Sequence, residues 1–80
     1  MKDDIRAVLQ AHGRLARPVE TLGDSSDLYE AGMTSHASVN VMLALEGRLG
    51  IEFPDRMLRR GVFQSISSIA AAASELQAAR

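Results

Sequence analysis

Cysteine is absent from this 80-residue chain, which excludes both a disulfide framework and thiolate chemistry of the protein's own. Any thiol used in its function has to arrive on an attached group. Aromatic residues make up only 4% of the chain, so the core has to be aliphatic and alanine-rich, which suits close helix packing. Long apolar runs are missing as well: the longest are short pieces such as Ile69 to Ala73, far from a membrane span. Met1-Lys2-Asp3-Asp4 lacks the charged-then-apolar pattern of a secretion signal, so a cytoplasmic location is expected. Neither sign of charge dominates. A formal net charge of −1 argues against nucleic-acid binding, which needs a clear basic surplus. His12 and His36 lie far apart without any cysteine, so no metal-ligand cluster is expected. Gly-x-Ser-x-Gly and a glycine-rich phosphate loop do not occur either.

What is present is enough for one domain: 46% hydrophobic residues in a chain that can bury one compact core. A first helix is predicted to start at Asp3 or Asp4, whose carboxylates complement the positive helix end. Ile5, Val8, Leu9, His12 and Leu15 or Ala16 follow as its apolar stripe, with Gly13 a weak point and Pro18 beyond the end. Residues 18–34 form a long connection rich in Gly, Ser and Asp, a length that tends to be functional in a small domain. Leu22, Leu28 and Tyr29 are expected to pin it to the core. A second helix is predicted over Ser35–Leu49, with Val39, Val41, Met42, Leu45 and Leu49 as its buried face and Gly50 as its stop. A turn at Phe53-Pro54 leads to a short helix from Asp55 to about Arg60, carrying Met57 and Leu58 inward and ended by Gly61. The last helix opens at Ser65, with Ile66, Ile69, Ala73 and Leu76 facing the core. Period-two alternation is absent, so no strand is expected.

Gly32-Met33-Thr34-Ser35-His36 places hydroxyls at the junction between the long loop and the second helix. Thr34 or Ser35 there reads as an N-cap, the ordinary role of Ser and Thr before a helix. The same position also favours negative charge, because the first helical N–H groups are unpaired and the helix dipole is positive there. A phosphodiester built on Ser35 is therefore well placed. A nucleophilic Ser35 is not supported. His36 is adjacent in sequence but points about 100° away on a helix, and His12 belongs to the stripe of another helix. Glu46, Glu52 and Asp55 read as solvated surface.

The run Asp27-Leu28-Tyr29-Glu30-Ala31-Gly32-Met33-Thr34-Ser35, the helix to Leu49, Gly50-Ile51-Glu52-Phe53-Pro54-Asp55 and then Phe63-Gln64-Ser65-Ile66 resemble an acyl or peptidyl carrier protein, in order and at that family's spacings. In that family the serine of a Gly-Leu-Asp-Ser-Leu signature bears a 4′-phosphopantetheine arm. The resemblance covers nearly the whole chain, residues 1–80, as a single carrier domain. It implies an all-α, acyl-carrier-protein-like bundle of three main helices plus one short helix. It also implies Ser35 as the attachment residue, a phosphopantetheinyl transferase as partner, no catalytic residues, no metal, and a monomer touching neither membrane nor nucleic acid.

Departures from the family pattern bear on the cargo. Thr34 stands where the signature has Asp, and His36 where it has Leu. Residues 1–34 hold four basic and six acidic side chains, residues 35–80 five and four, so the half that partners read is no acidic patch. Partners that find fatty-acid carriers through basic patches lose their steering on such a surface. The pattern is similar to stand-alone carriers loaded with small amino acids by ligases related to seryl-tRNA synthetase. Glycine or alanine, held as a thioester, is the expected cargo on that resemblance, with Met33, Thr34, His36, Val39, Asn40, Met42, Arg56 and Arg59 as the face that meets the loading enzyme. A fatty-acyl, polyketide or peptide-synthetase carrier, or an unmodified helical adaptor, remains as an alternative.

Overall fold

The computed structural model describes residues 1–79, and its elements follow from local sequence at most boundaries. Helix α1 spans Lys2–His12, α2 Ser35–Leu49, α3 Arg60–Phe63 and α4 Ile66–Ala78, with 3-10 turns at Val19–Thr21 and Asp55–Met57. No strand occurs among the described residues, and none of their helices is long and apolar enough to cross a membrane. The bundle is thus three main helices plus one short helix, with α1 packed on both α2 and α4, and α3 on α4.

Helix α1 buries Ile5, Val8 and Leu9 as its spacing requires, with Asp3 and Asp4 in the first turn. It stops earlier than the apolar stripe suggested. His12 closes the helix and is exposed, Leu15 is only half-buried and Ala16 is exposed. The chain leaves the helical path through Arg14, whose φ of 54° is left-handed, and the Ala16 N–H donates to Ala31 O at 2.8 Å. That tertiary bond redirects residues 13–16 toward the long loop. Leu22 and Leu28 pin the loop to the core, with Tyr29 half-buried beside them.

Helix α2 has the bounds its caps dictate. Thr34, in extended backbone, accepts from the Ala37 N–H at 3.0 Å through its hydroxyl, and Gly50 adopts the left-handed conformation at φ 65° that ends the helix. Its buried face is narrower than the sequence reading. Ala37, Val41 and Leu45 are fully inside, Leu49 and Met42 are half-buried, and Val39 is exposed. Two residues along a helix correspond to a rotation of about 200°, so Val39 and Val41 cannot share a face. Val39 instead forms an outward ridge with Leu43, four residues on.

The segment after α2 also departs from expectation. Met57 turns inward, but Leu58 interrupts the 3-10 turn and points outward at 47% exposure. The chain then re-forms a helical turn, α3, and Gly61 lies inside it rather than ending it. The anchor is Phe63, whose ring meets Phe53 at a centroid distance of 5.3 Å and an interplanar angle of 55°, a favourable tilted pairing. Helix α4 opens on a reciprocal cap: Ser65 Oγ accepts from the Ser68 N–H while Ser68 Oγ accepts from the Ser65 N–H, both at 3.1 Å. Ile66, Ile69 and Ala73 reach the core, and Leu76 is half-buried.

Candidate attachment site and docking face

Ser35 is the first residue of α2 and is exposed. Thr34, not Ser35, is the N-cap, so the Ser35 hydroxyl has no structural duty, and no group among the described residues hydrogen-bonds it. Ser38, one turn on, differs. Its hydroxyl donates to the Ser35 carbonyl at 2.7 Å, and its backbone N–H to Thr34 O at 3.0 Å. The Ala37 and Ser38 N–H groups are therefore committed. Those of Ser35 and His36 have no helical carbonyl to reach and face the end where the dipole favours an anion.

The loop that presents Ser35 is held at many points. Asp27 Oδ1 accepts from the backbone N–H groups of Tyr29 at 2.9 Å and Glu30 at 3.2 Å, and Oδ2 accepts from Gln64 Nε2 at 3.0 Å. The Gln64 hydrogen bond, followed by the Glu30 N–H, holds the Asp27 carboxyl below its ordinary value. Leu28 N–H donates to Gln64 O at 2.7 Å, and Met33 N–H back to Leu28 O at 3.0 Å. Gly32 makes the last turn possible. Its φ of 115° suits glycine, and a β-carbon there would stand 2.8 Å from Ala16 N. Farther back, Asp24 accepts from Lys2 Nζ at 3.0 Å and Arg6 at 2.9 Å, and those two bonds lower its carboxyl in turn. Arg6 also donates to the carbonyls of Val19 and Leu22, both at 3.0 Å. The loop before Ser35 is thereby ordered with only the short 3-10 turn at Val19–Thr21 as a regular element.

Beside Ser35 lies an open cavity of about 450 Å³ between α2 and the α3 region. Its apolar wall is Val39, Met42, Leu58 and Phe63, Ser35 and Ser38 stand on one rim, and Tyr29, Arg59 and Arg60 complete it. The Arg60 guanidinium lies 4.0 Å from the Tyr29 ring centre, within cation–π range.

Of the residues expected to face a partner, Thr34, His36, Val39 and Asn40 are exposed around Ser35 and Met42 is half-buried on the groove. Met33 is not on that face. It is 2% exposed, because the tight turn from Leu28 to Met33 folds its side chain into the core. Arg56 is exposed but engaged with Glu75 at 3.3 Å, whereas Arg59 lines the groove. Arg60, expected beside Arg56 and Arg59 on the basic short segment, also lines the groove, whereas Leu43, Leu58, Tyr29 and Phe63 were missed by the sequence reading. For Leu43 a signal existed, since it lies four residues after Val39; Leu58 and Phe63 are brought to Ser35 only by the packing of the segment after α2, and Tyr29 by the loop that leads into Ser35. Glu46 is no free surface acid either, because it accepts the Phe53 N–H at 2.8 Å.

A free hydroxyl at a 15-residue helix start, held by an ordered loop and flanked by an open apolar cavity, fits a covalently attached phosphate-linked arm. Comparison with known proteins agrees. The family described as "Phosphopantetheine attachment site" matches residues 5–74. The chain is 48% identical over 69 residues to the aminoacyl carrier protein of Agrobacterium fabrum (strain C58), covering 86% of this chain and 83% of that one. Its fold superposes with a TM-score of 0.90 at 44% identity on a chain of a crystal structure in which an engineered Bradyrhizobium japonicum glycine:[carrier protein] ligase is complexed with a carrier protein from Agrobacterium tumefaciens and AMP, covering 92% of this chain and 99% of that one. A solution structure of an Agrobacterium tumefaciens protein matches at a TM-score of 0.80 and 42% identity, over 98% of this chain and 94% of the other. The chain belongs to the phosphopantetheine-attachment family, as a non-catalytic carrier whose cofactor is covalent 4′-phosphopantetheine.

Proposed function

We propose that Ser35 bears the phosphopantetheine arm, and that the whole chain acts as one cytoplasmic carrier domain for a small amino acid of the glycine or alanine type. The carrying observation is the Ser35 hydroxyl: exposed, without a hydrogen bond among the described residues, and at the start of α2 beside the groove. The arm supplies a terminal thiol on which an aminoacyl group is held as a thioester. The chain's own residues do the rest. Thr34 caps α2, the loop tied by Asp27 fixes where Ser35 stands, and the unpaired N–H groups at the helix start favour the negative charge of the linkage.

A phosphopantetheinyl transferase has to install the arm, and Thr34 in place of an acidic residue selects for one that does not depend on that charge. The loading partner fits an amino acid:carrier protein ligase of the kind seen with the Agrobacterium carrier. Its docking face is read as Thr34, His36, Val39, Asn40, Met42 and Arg59 with Leu43 added, a surface of apolar ridge and polar rim rather than acidic patch. Co-expression with a transferase followed by intact-mass measurement tests the attachment. Wild type gains the mass of one arm and Ser35→Ala gains none. An arm on Ser35→Ala protein overturns the assignment. Holo-protein should then be charged by a glycine:carrier protein ligase; charging by a malonyl transferase alone would refute the aminoacyl cargo.

A further inference from the structure

Two arginines on the groove beside Ser35 are left without an acidic partner. Arg59 and Arg60 line the same cavity as Ser35, and among the described residues neither has a carboxylate within ion-pair distance. Lys2, Arg6, Arg48 and Arg56 do, while Arg14 and Arg17, which also lack an ion pair among the described residues, do not line the groove. Arg59 Nε is engaged locally, donating to Arg56 O at 2.9 Å. Among the described residues the Arg60 side chain makes no hydrogen bond or ion pair, and its guanidinium carbon sits over the Tyr29 ring, 4.0 Å from the ring centre. A cation–π contact of this kind restrains a guanidinium without using its N–H donors on an acceptor oxygen. Asp27 feels the charge of Arg60, but its oxygens already accept from Tyr29, Glu30 and Gln64. The result is a pre-placed cation on the wall of a groove whose rim carries the attachment hydroxyl.

We propose that Arg60, seated on Tyr29, is the counter-ion of the phosphodiester on Ser35 and so positions the first bonds of the arm along the groove. This rests on Ser35 being the attachment residue. A phosphodiester carries one negative charge at neutral pH and offers two oxygens that match the guanidinium fork. The start of α2 supplies the second stabilising pole, so the phosphate lies between helix dipole and arginine. Arg60 acts on the arm's direction and mobility; it takes no part in the thioester chemistry. Arg59, whose Nε is tied to Arg56 O, adds positive charge to the same wall.

The test uses the full chain with and without its arm, and mass first shows whether Ser35 is modified. Two NMR readouts follow: the Arg60 side-chain Nε–H resonance in apo- and holo-protein, and the phosphorus resonance of the arm against a phosphopantetheinyl-serine peptide. The Nε–H signal should shift on modification, and the phosphorus signal should differ in position and width from that of the peptide. Arg60→Gln should move the phosphorus signal toward the peptide position, leaving only the part due to the start of α2, Arg60→Lys should restore part of the difference, and Arg48→Gln, paired with Asp4, should change nothing. About 1 M salt, where screening acts within about 3 Å, should shrink the wild-type difference. An Arg60 Nε–H signal unchanged between apo- and holo-protein overturns the proposal even if Arg60→Gln refuses the arm. If Ser35 takes no arm at all, the attachment assignment itself has failed, and mass reports that separately.

Discussion

Ser35 and Ser38 lie one turn apart at the start of one helix, yet among the described residues only Ser35 keeps its hydroxyl unbonded. Ser38 commits its proton to the Ser35 carbonyl, while Thr34 takes the capping duty that would otherwise fall to Ser35. Capping by Thr34 also means that Ser35→Ala should leave folding intact, whereas Thr34→Ala should cost about 1 kcal/mol in urea unfolding through the lost cap. Gly32 is a second residue whose identity is decided locally. Its positive φ and the approach of Ala16 N leave no room for a side chain, so Gly32→Ala should destabilise by about 1–3 kcal/mol in the same measurement. Because that turn delivers Ser35, the variant should also accept the arm more slowly.

At the scale of the element, α2 presents two ridges with opposite duties. Ala37, Val41 and Leu45 face inward at four-residue spacing, and Val39 and Leu43 face outward at the same spacing. Leu45→Ala removes a fully buried side chain and should cost about 2–5 kcal/mol, read as a lowered denaturation midpoint. Val39→Ala and Leu43→Ala, both half exposed or more, should leave stability within about 0.5 kcal/mol and weaken binding to the loading ligase instead. Gly47 lies in the interior of α2 with open space where a β-carbon would stand. Gly47→Ala should therefore stabilise the isolated domain by about 0.5–1 kcal/mol. Any accompanying loss of ligase affinity would locate a close approach of the partner at that turn.

For the whole molecule, the site depends on how the loop is tied to both ends of the bundle. Asp24 joins it to α1 through Lys2 and Arg6, and Asp27 joins it to the α3–α4 junction through Gln64. Both carboxyls are held below their ordinary value. Their contribution is therefore complete above the unfolded value of about 3.9 and is lost as pH falls through the lower folded values. Melting temperature should be insensitive to these two groups between about pH 5 and 7 and should fall below about pH 4. Asp27→Asn should flatten that acid limb in thermal melts followed by circular dichroism. Docking on a face with few exposed acids should weaken only mildly with added salt, since screening acts on exposed charge pairs.

Elements with strong local chemistry were determined by the sequence alone. The second helix could be bounded at Ser35 and Leu49 because a hydroxyl cap and a left-handed glycine are local devices, and Ser65 opened α4 for the same reason. The likeness of the Asp27–Ser35 run to carrier proteins pointed to a phosphopantetheine carrier, the family to which the chain belongs. Tertiary structure decided what periodicity leaves ambiguous. α1 ends at His12 because Ala16 is drawn to Ala31, and Met33 is withdrawn from the surface around Ser35 by the turn that closes on Leu28. Leu58 faces outward and Gly61 sits within α3 because the Phe53–Phe63 contact governs that segment more strongly than either residue's propensity. The groove and the seating of Arg60 on Tyr29 join residues about 30 positions apart. No local pattern encodes such a meeting, since it exists only once the bundle has brought α3 against the loop.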